Sequence, residues 1–384
     1  MMAIENVGVE RTAVRSDSCR NQETTARVVL DVESVVKSFG TERAVDDLSF
    51  CVREGELLTL LGPSGCGKTT TLRLIAGLER PDTGSIRIDG NMVTDGRNGA
   101  FVPPDNRDVG VVFQDFALFP HLSAEENVAF GIEGWSADER ADQVDRLLSL
   151  VGLTDQRDSF PDELSGGQQQ RIALARSLAP EPEILLLDEP FSNLDVDLRV
   201  RMREEVRRIL KETGVTAISV THDQEEALSV SDRVAVMHRG RIEQIGTPED
   251  VFQRPTSRFT AGFLGHASFL SGYVSGDTVE TALGSVRRDQ IHGLAPEYDQ
   301  TRIDVLVRPD DVIARPADED GANGTITYRR YLGPSVLYRA ELDNGDTVEC
   351  MHNHVDRVKL DEPVSVELAA AHDLAWFPTE DHTS

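Results

Sequence analysis

The chain has 384 residues, 39% of them hydrophobic, and a formal net charge of −28. That length suits two domains, and the acidic balance lacks the basic footprint of nucleic-acid binding, so no nucleic acid is expected as a partner. No apolar run approaches the roughly 20 residues that cross a bilayer, and Glu5, Glu10 and Asp17 spoil a secretory signal pattern, so a cytoplasmic protein is expected, with any membrane role exerted through partners.

The charge is specific in kind. Of the 39 cationic residues only Lys37, Lys68, Lys211 and Lys359 are lysines, set against 67 acids. Such a surface repels itself in dilute buffer, and the repulsion fades when molar salt shortens the Debye length to about 3 Å. A salt-loaded cytoplasm, as in a halophilic archaeon, is the expected setting. GC-rich codon usage would explain the arginines but not the acids. Cys19, Cys51, Cys66 and Cys350 show no metal-ligand spacing, which argues against a zinc site or a disulfide framework.

In chain order, residues 1–27 are polar and aperiodic and predict a flexible tail. Leu57–Leu61 predicts a buried strand, followed by a glycine-rich turn and a helix through Leu78. That turn, Gly62-Pro63-Ser64-Gly65-Cys66-Gly67-Lys68-Thr69, fits the phosphate-loop pattern in its required strand-to-helix context. Its glycines let backbone N–H groups face phosphates, and the helix N-terminus that follows, with Thr70, adds a favourable dipole. Lys68 is expected on the β- and γ-phosphates and Thr69 on Mg²⁺. Because Cys66 lies inside this loop, a thiol reagent is expected to block nucleotide binding.

Strands are predicted at Ser85–Asp89 and Val109–Phe113, and helices at Ala137–Val151 and Gln168–Leu178. The next strand, Glu183–Asp188, delivers two carboxylates: Asp188 to hold Mg²⁺ and Glu189 to polarise an attacking water as general base. Thr216–Val220 and Arg233–His238 complete an α/β pattern of mainly parallel character. The helical stretch at about 116–179 predicts a subdomain inserted into it. After Gly262 the texture turns to short strands and turn residues, including Gly324–Tyr331, Ser335–Leu342 and Thr347–Met351, which predict a small all-β barrel.

The order of these motifs resembles the ATP-binding cassette (ABC) ATPases. Leu164-Ser165-Gly166-Gly167-Gln168 matches that family's signature, Gln114 its Q-loop glutamine, Ser192-Asn193-Leu194-Asp195 its D-loop and His222 its switch histidine. The resemblance spans Val28 to about Gly262 and implies a P-loop NTPase core that binds ATP and Mg²⁺, with Gln114 sensing metal and lytic water. It implies that Ser165, Gly166, Gly167 and Gln168 close over the ATP of a second copy in a head-to-tail homodimer, or a pair with another ATPase subunit, with Asp195 crossing the interface. Phe39 stands where the family stacks an aromatic on adenine; a core phenylalanine is the alternative.

The β domain, about 267–378, resembles the TOBE type found on importer ATPases. Phe113–Leu122 and Asp162–Arg171 look like the same group. The resemblance implies two transmembrane permease subunits, an extracytoplasmic solute-binding protein acting indirectly, and a peripheral place on the inner membrane face. The expected solute is iron(III), ahead of polyamine, sulfate, phosphonate or sugar. A soluble, non-transport ABC ATPase is the remote alternative.

Overall fold

The computed structural model describes residues 26–379. The expected tail, and Cys19 with it, lies almost wholly outside the described residues. The chain divides into two compact units between Pro248 and Glu249.

In chain order the strands of the first unit are β1 (Val28–Phe39), β2 (Glu42–Arg53), β3 (Leu57–Leu61), β4 (Thr83–Ile88), β5 (Asn91–Asp95), β6 (Ala100–Phe101), β7 (Val109–Val112), β8 (Ile184–Asp188), β9 (Thr216–Thr221), β10 (Arg233–His238) and β11 (Arg241–Gly246). Its helices are α1 (Lys68–Ala76), α2 (Ala124–Ala129), α3 (Ala137–Leu150), α4 (Gly166–Leu178), α5 (Val196–Thr213) and α6 (Gln224–Val230). One sheet, ordered β11-β10-β3-β9-β8-β7, is parallel except for its β11 edge. The other, β2-β1-β4-β5-β6, is antiparallel throughout. This second sheet departs from the mainly parallel expectation. Only Gly40 and Thr41 separate β1 from β2, and a two-residue link closes a hairpin but never a parallel crossover.

The parallel strands are apolar on both faces, and alternate residues feed two cores. Leu57, Leu185, Leu187 and Ala217 pack with α2 to α5. Leu58, Leu60, Leu186, Ile218 and Val220 pack with α1 and the antiparallel sheet. Each such leucine contributes about 1.5–3 kcal/mol by leaving water. Arg107 crosses the second core with its side chain fully buried. It donates to Leu74 O and Ile75 O in the last turn of α1, to Val102 O, and to Thr94 Oγ1. Burial pushes its guanidinium down to about 10, and the C-terminal carbonyls of α1 are where a helix dipole favours a cation.

The second unit carries α7 (Pro248–Gln253), α8 (Arg258–Phe263) and ten strands: β12 (Ser268–Ser275), β13 (Thr278–Thr281), β14 (Gly284–Arg287), β15 (Arg302–Val307), β16 (Val312–Pro316), β17 (Gly324–Tyr331), β18 (Ser335–Leu342), β19 (Thr347–Asn353), β20 (Pro363–Leu368) and β21 (Trp376–Pro378). They form two five-stranded antiparallel sheets, β14-β13-β12-β15-β21 and β16-β20-β17-β18-β19, around one apolar core. Residues 249–262, expected in the first domain, group with this unit. Buried Arg308 explains why: it donates to Phe252 O and His266 O, and its guanidinium lies 3.9 Å from the centre of the Phe252 ring.

Candidate functional site

The C-terminal ends of β3, β7, β8 and β9 carry the residues that the sequence singled out. After β3 the chain enters the loop Gly62–Thr69, which the backbone shapes tightly. A Cβ on Gly62 would lie 2.4 Å from Met237 O. Gly67 has φ +102 and room for no Cβ, because Ala44 O would stand 2.2 Å away. Both positions therefore demand glycine. Gly67 is also the N-cap of α1, and it offers no side-chain cap. Ser123, Ser136, Ser165, Asp195 and Asp223 cap the helices that follow them. The first N–H groups of α1 are thus left for an anion. Ser64 and Gly65 are exposed, Pro63 and Thr70 are half-buried, and Lys68 is buried. The Lys68 ammonium donates to Gly62 O at 2.7 Å and Pro63 O at 3.1 Å, which holds it over the loop.

Cys66 is buried beneath the same loop, and burial pushes its thiol up from the ordinary cysteine range. The thiolate is the reactive form, so the expected block by a thiol reagent is corrected: this sulfur is shielded and held as thiol. Cys350 is likewise buried and pushed up to about 12.

Asp188 ends β8, and Thr69 Oγ1 donates to its Oδ1 across a long 3.4 Å contact. Burial, with the neighbouring charge of Glu189, raises the Asp188 carboxyl above the usual range. Glu189 adopts a left-handed φ of +44, uncommon for a residue with a side chain and typical of strained functional turns. Its N–H is tied to Val220 O on β9, and its carbonyl accepts the Ser192 hydroxyl. This turn brings Glu189 Oε1 to 3.2 Å from Nδ1 of His222, which follows β9.

Gln114 is exposed just beyond β7, and its carbonyl accepts Asn193 Nδ2 at 2.8 Å. The loop after it is held from below. Phe116 and Ala117 both have positive φ, and Arg176 on α4 donates to both carbonyls. Asn127, fully buried on α2, accepts Phe119 N–H and donates to Leu122 O and Ser123 O. Asn193 lies in the segment matched to the D-loop, whereas Arg176 and Asn127 carry no pattern by which the sequence could mark them.

Ser165 and Gln168 cap each other at the start of α4. Gly166 and Gly167 lie against Leu194, Leu198 and Met202, the last two on α5. Asp195 caps α5 through Leu198 N–H at 2.9 Å. Among the described residues no hydrogen bond or ion pair joins Ser165–Gln168 to Gly62–Thr69. Phe39, at the end of β1, is half exposed and lies in neither apolar core, so the core alternative falls away. Lys37 Nζ stands 5.0 Å from its ring centre.

A phosphate loop between a parallel strand and a helix, facing an Asp-Glu strand end, defines a P-loop NTPase. The ABC transporter family model matches residues 45–192 and the TOBE domain model residues 305–376. The Fe(3+) ions import ATP-binding protein FbpC of Brucella suis is 45% identical over 319 residues, covering 82% of this chain and 88% of that protein. The spermidine/putrescine import ATP-binding protein PotA of Chromobacterium violaceum is 41% identical over 365 residues, covering 92% and 99%. Among solved structures, cbiO1 of Clostridium perfringens, part of the ABC transporter complex cbiONQ, is 31% identical, with a TM-score of 0.54 and coverage of 59% of this chain and 90% of that one. The chain belongs to the ABC transporter family as an ATP-binding subunit, an ATPase with a C-terminal TOBE domain. No described helix is long and apolar enough to cross a membrane.

Proposed function

We propose that this ATPase powers a membrane importer for iron(III), with the residues around Gly62–Thr69 as its engine. The observation that carries the chemistry is the convergence of Lys68, Thr69, Asp188, Glu189 and His222 on the ends of adjacent parallel strands. Lys68 and the uncapped start of α1, with Gly62 to Thr70, hold the phosphates. Phe39 stacks on the adenine. Asp188 and Thr69, joined by Gln114, offer hard oxygen donors that suit Mg²⁺. Bound there, Mg²⁺ would neutralise charge developing on the β- and γ-phosphates. Glu189 takes the proton of the attacking water, and His222, 3.2 Å from it, orients that carboxylate and faces the γ-phosphate.

Ser165 and Gly166 are exposed at the start of α4, which suits closure of Ser165–Gln168 over the nucleotide of a second copy, with Asp195 at the shared face. Two permease subunits receive the stroke on the face around Gln114–Asn127, and a solute-binding protein delivers cargo from outside. The chain thus works on the inner membrane face. Similarity to the FbpC proteins supports iron(III), while similarity to PotA favours polyamine as the second reading. Domain limits of 28–262 and 267–378, less the helices that group with the β unit, describe the working parts. The acidic surface suits a salt-rich interior.

The test uses Glu189→Gln. This variant binds ATP but hydrolyses it at least about 100-fold more slowly, the usual worth of a positioned base. Tagged Glu189→Gln, recovered from solubilised host membranes with ATP, brings polytopic permease subunits whose identity names the solute. Full turnover would remove Glu189 from the base role, and recovery of soluble partners alone would overturn transport.

A further inference from the structure

We propose that Glu226 is a positioning residue for His222, fixing through the Thr221 hydroxyl the turn that carries the imidazole to Glu189. His222 sits on two residues of turn between β9 and α6, and both of its neighbours are tied to Glu226. Thr221 Oγ1 donates to Glu226 Oε2 at 2.9 Å and accepts Asp223 N–H at 3.0 Å. The Glu226 N–H in turn donates to Asp223 Oδ1 at 3.0 Å. The bracket is closed from α5, where Arg203 donates to Asp223 Oδ2 at 2.8 Å. His222 itself is largely exposed, so packing does not orient it. The hydrogen bonds of its neighbours do.

Glu226 is buried, and its Oε1 has no partner. A carboxyl placed so needs a reason, because a buried unpaired polar atom is costly. Burial first, then the negative charges of Asp223 and Glu189, push it up to about 7, against the Thr221 bond and the Arg203 charge. β3, also packed on α6, carries no charged residue. Near neutrality the group therefore changes charge. Its ionised form binds the Thr221 hydroxyl as a charge-assisted acceptor and locks the turn. Its protonated form holds the turn less firmly. The hydrolysis rate then rises with pH through this group, independently of ATP affinity.

The inference rests on the role given to His222 above. ATP hydrolysis is followed from pH 6 to 9 for the full chain, alone and with its permease subunits. In Glu226→Gln, kcat at pH 8 falls about tenfold, in line with loss of a charge-assisted bond, the rise through neutral pH flattens, and KM for ATP stays put. Thr221→Val loses kcat in the same way, and Thr221→Ser, which keeps the hydroxyl, recovers it. Wild-type kcat and pH profile in folded Glu226→Gln would overturn the inference. Should that variant fail to fold, equal loss in Thr221→Ser and Thr221→Val overturns it instead. His222→Ala separates the two layers: full activity there sinks the His222 role itself, whereas lost activity there with an unchanged Glu226→Gln sinks only this inference.

Discussion

Glu226→Gln should make the nucleotide-binding unit more stable, and by an amount that depends on pH. The carboxyl is only 3% exposed, and burial lifts it from 4.5 to about 7 in the folded chain. Because its folded value is raised, its contribution to stability is complete below about 4.5, declines as the pH climbs and is lost above about 7. The difference corresponds to about 3 kcal/mol at pH 8. Glutamine keeps an acceptor for the Thr221 hydroxyl and never ionises, so it escapes that cost. Urea titration at fixed ionic strength measures it. Fluorescence of Trp135 reports the first unit, in a Trp376→Phe background because the chain has two tryptophans. The variant should exceed wild type by about 3 kcal/mol at pH 8 and by little at pH 4.5. A difference that is the same at both pH values, or absent, would refute burial as the cause. Gain in stability with loss of turnover is the trade expected where an active site keeps a costly buried carboxyl.

Asn127→Ala strands Phe119 N–H and removes the side-chain donor from three carbonyls of the 119–123 loop, for a cost of about 2–4 kcal/mol; hydrogen exchange should show faster opening confined to that loop, and unchanged protection would count against its role. Gly67→Ala forces a Cβ to 2.2 Å from Ala44 O at a φ of +102, and calorimetry should find ATP binding weakened by about tenfold to hundredfold. In native protein at pH 7.5, Cys66 and Cys350 should escape N-ethylmaleimide over times that label an exposed thiol, as read by mass spectrometry. Rapid labelling with loss of ATP binding would reverse the correction made for Cys66.

The strands that carry the chemistry were legible because burial on both faces leaves continuous apolar runs. Leu57–Leu61 and Ile184–Leu187 could be little else, and each ends on a motif whose spacing states its chemistry. Of the antiparallel sheet only β4 was legible, at Ser85–Asp89, since Val28–Phe39 mixes apolar and polar residues around several bulges and only the tertiary partner sets its register. The left-handed turn at Glu189 and the support given by Arg176, Asn127 and Glu226 were hidden for a different reason. Glu189 and Arg176 work through bonds to backbone atoms distant in sequence, and Asn127 and Glu226 through bonds within eight residues that follow no helical or strand spacing. Phe39 was ambiguous because an aromatic at a strand end suits core and surface equally, and its exposure decided the matter.

Arg107 has a mechanical consequence. It welds the far end of α1 to the antiparallel sheet, and that sheet carries Phe39 while α1 carries the phosphate loop. If Phe39 stacks on the adenine as proposed, one cross-braced block would hold both ends of the nucleotide. A hinge that answers to the γ-phosphate would then fall on the other face of the parallel sheet, where α2 to α4 pack on a separate core. There the loop that follows Gln114 has two successive residues in the left-handed region and is tied to α4 through Arg176, so loop and helix would move together.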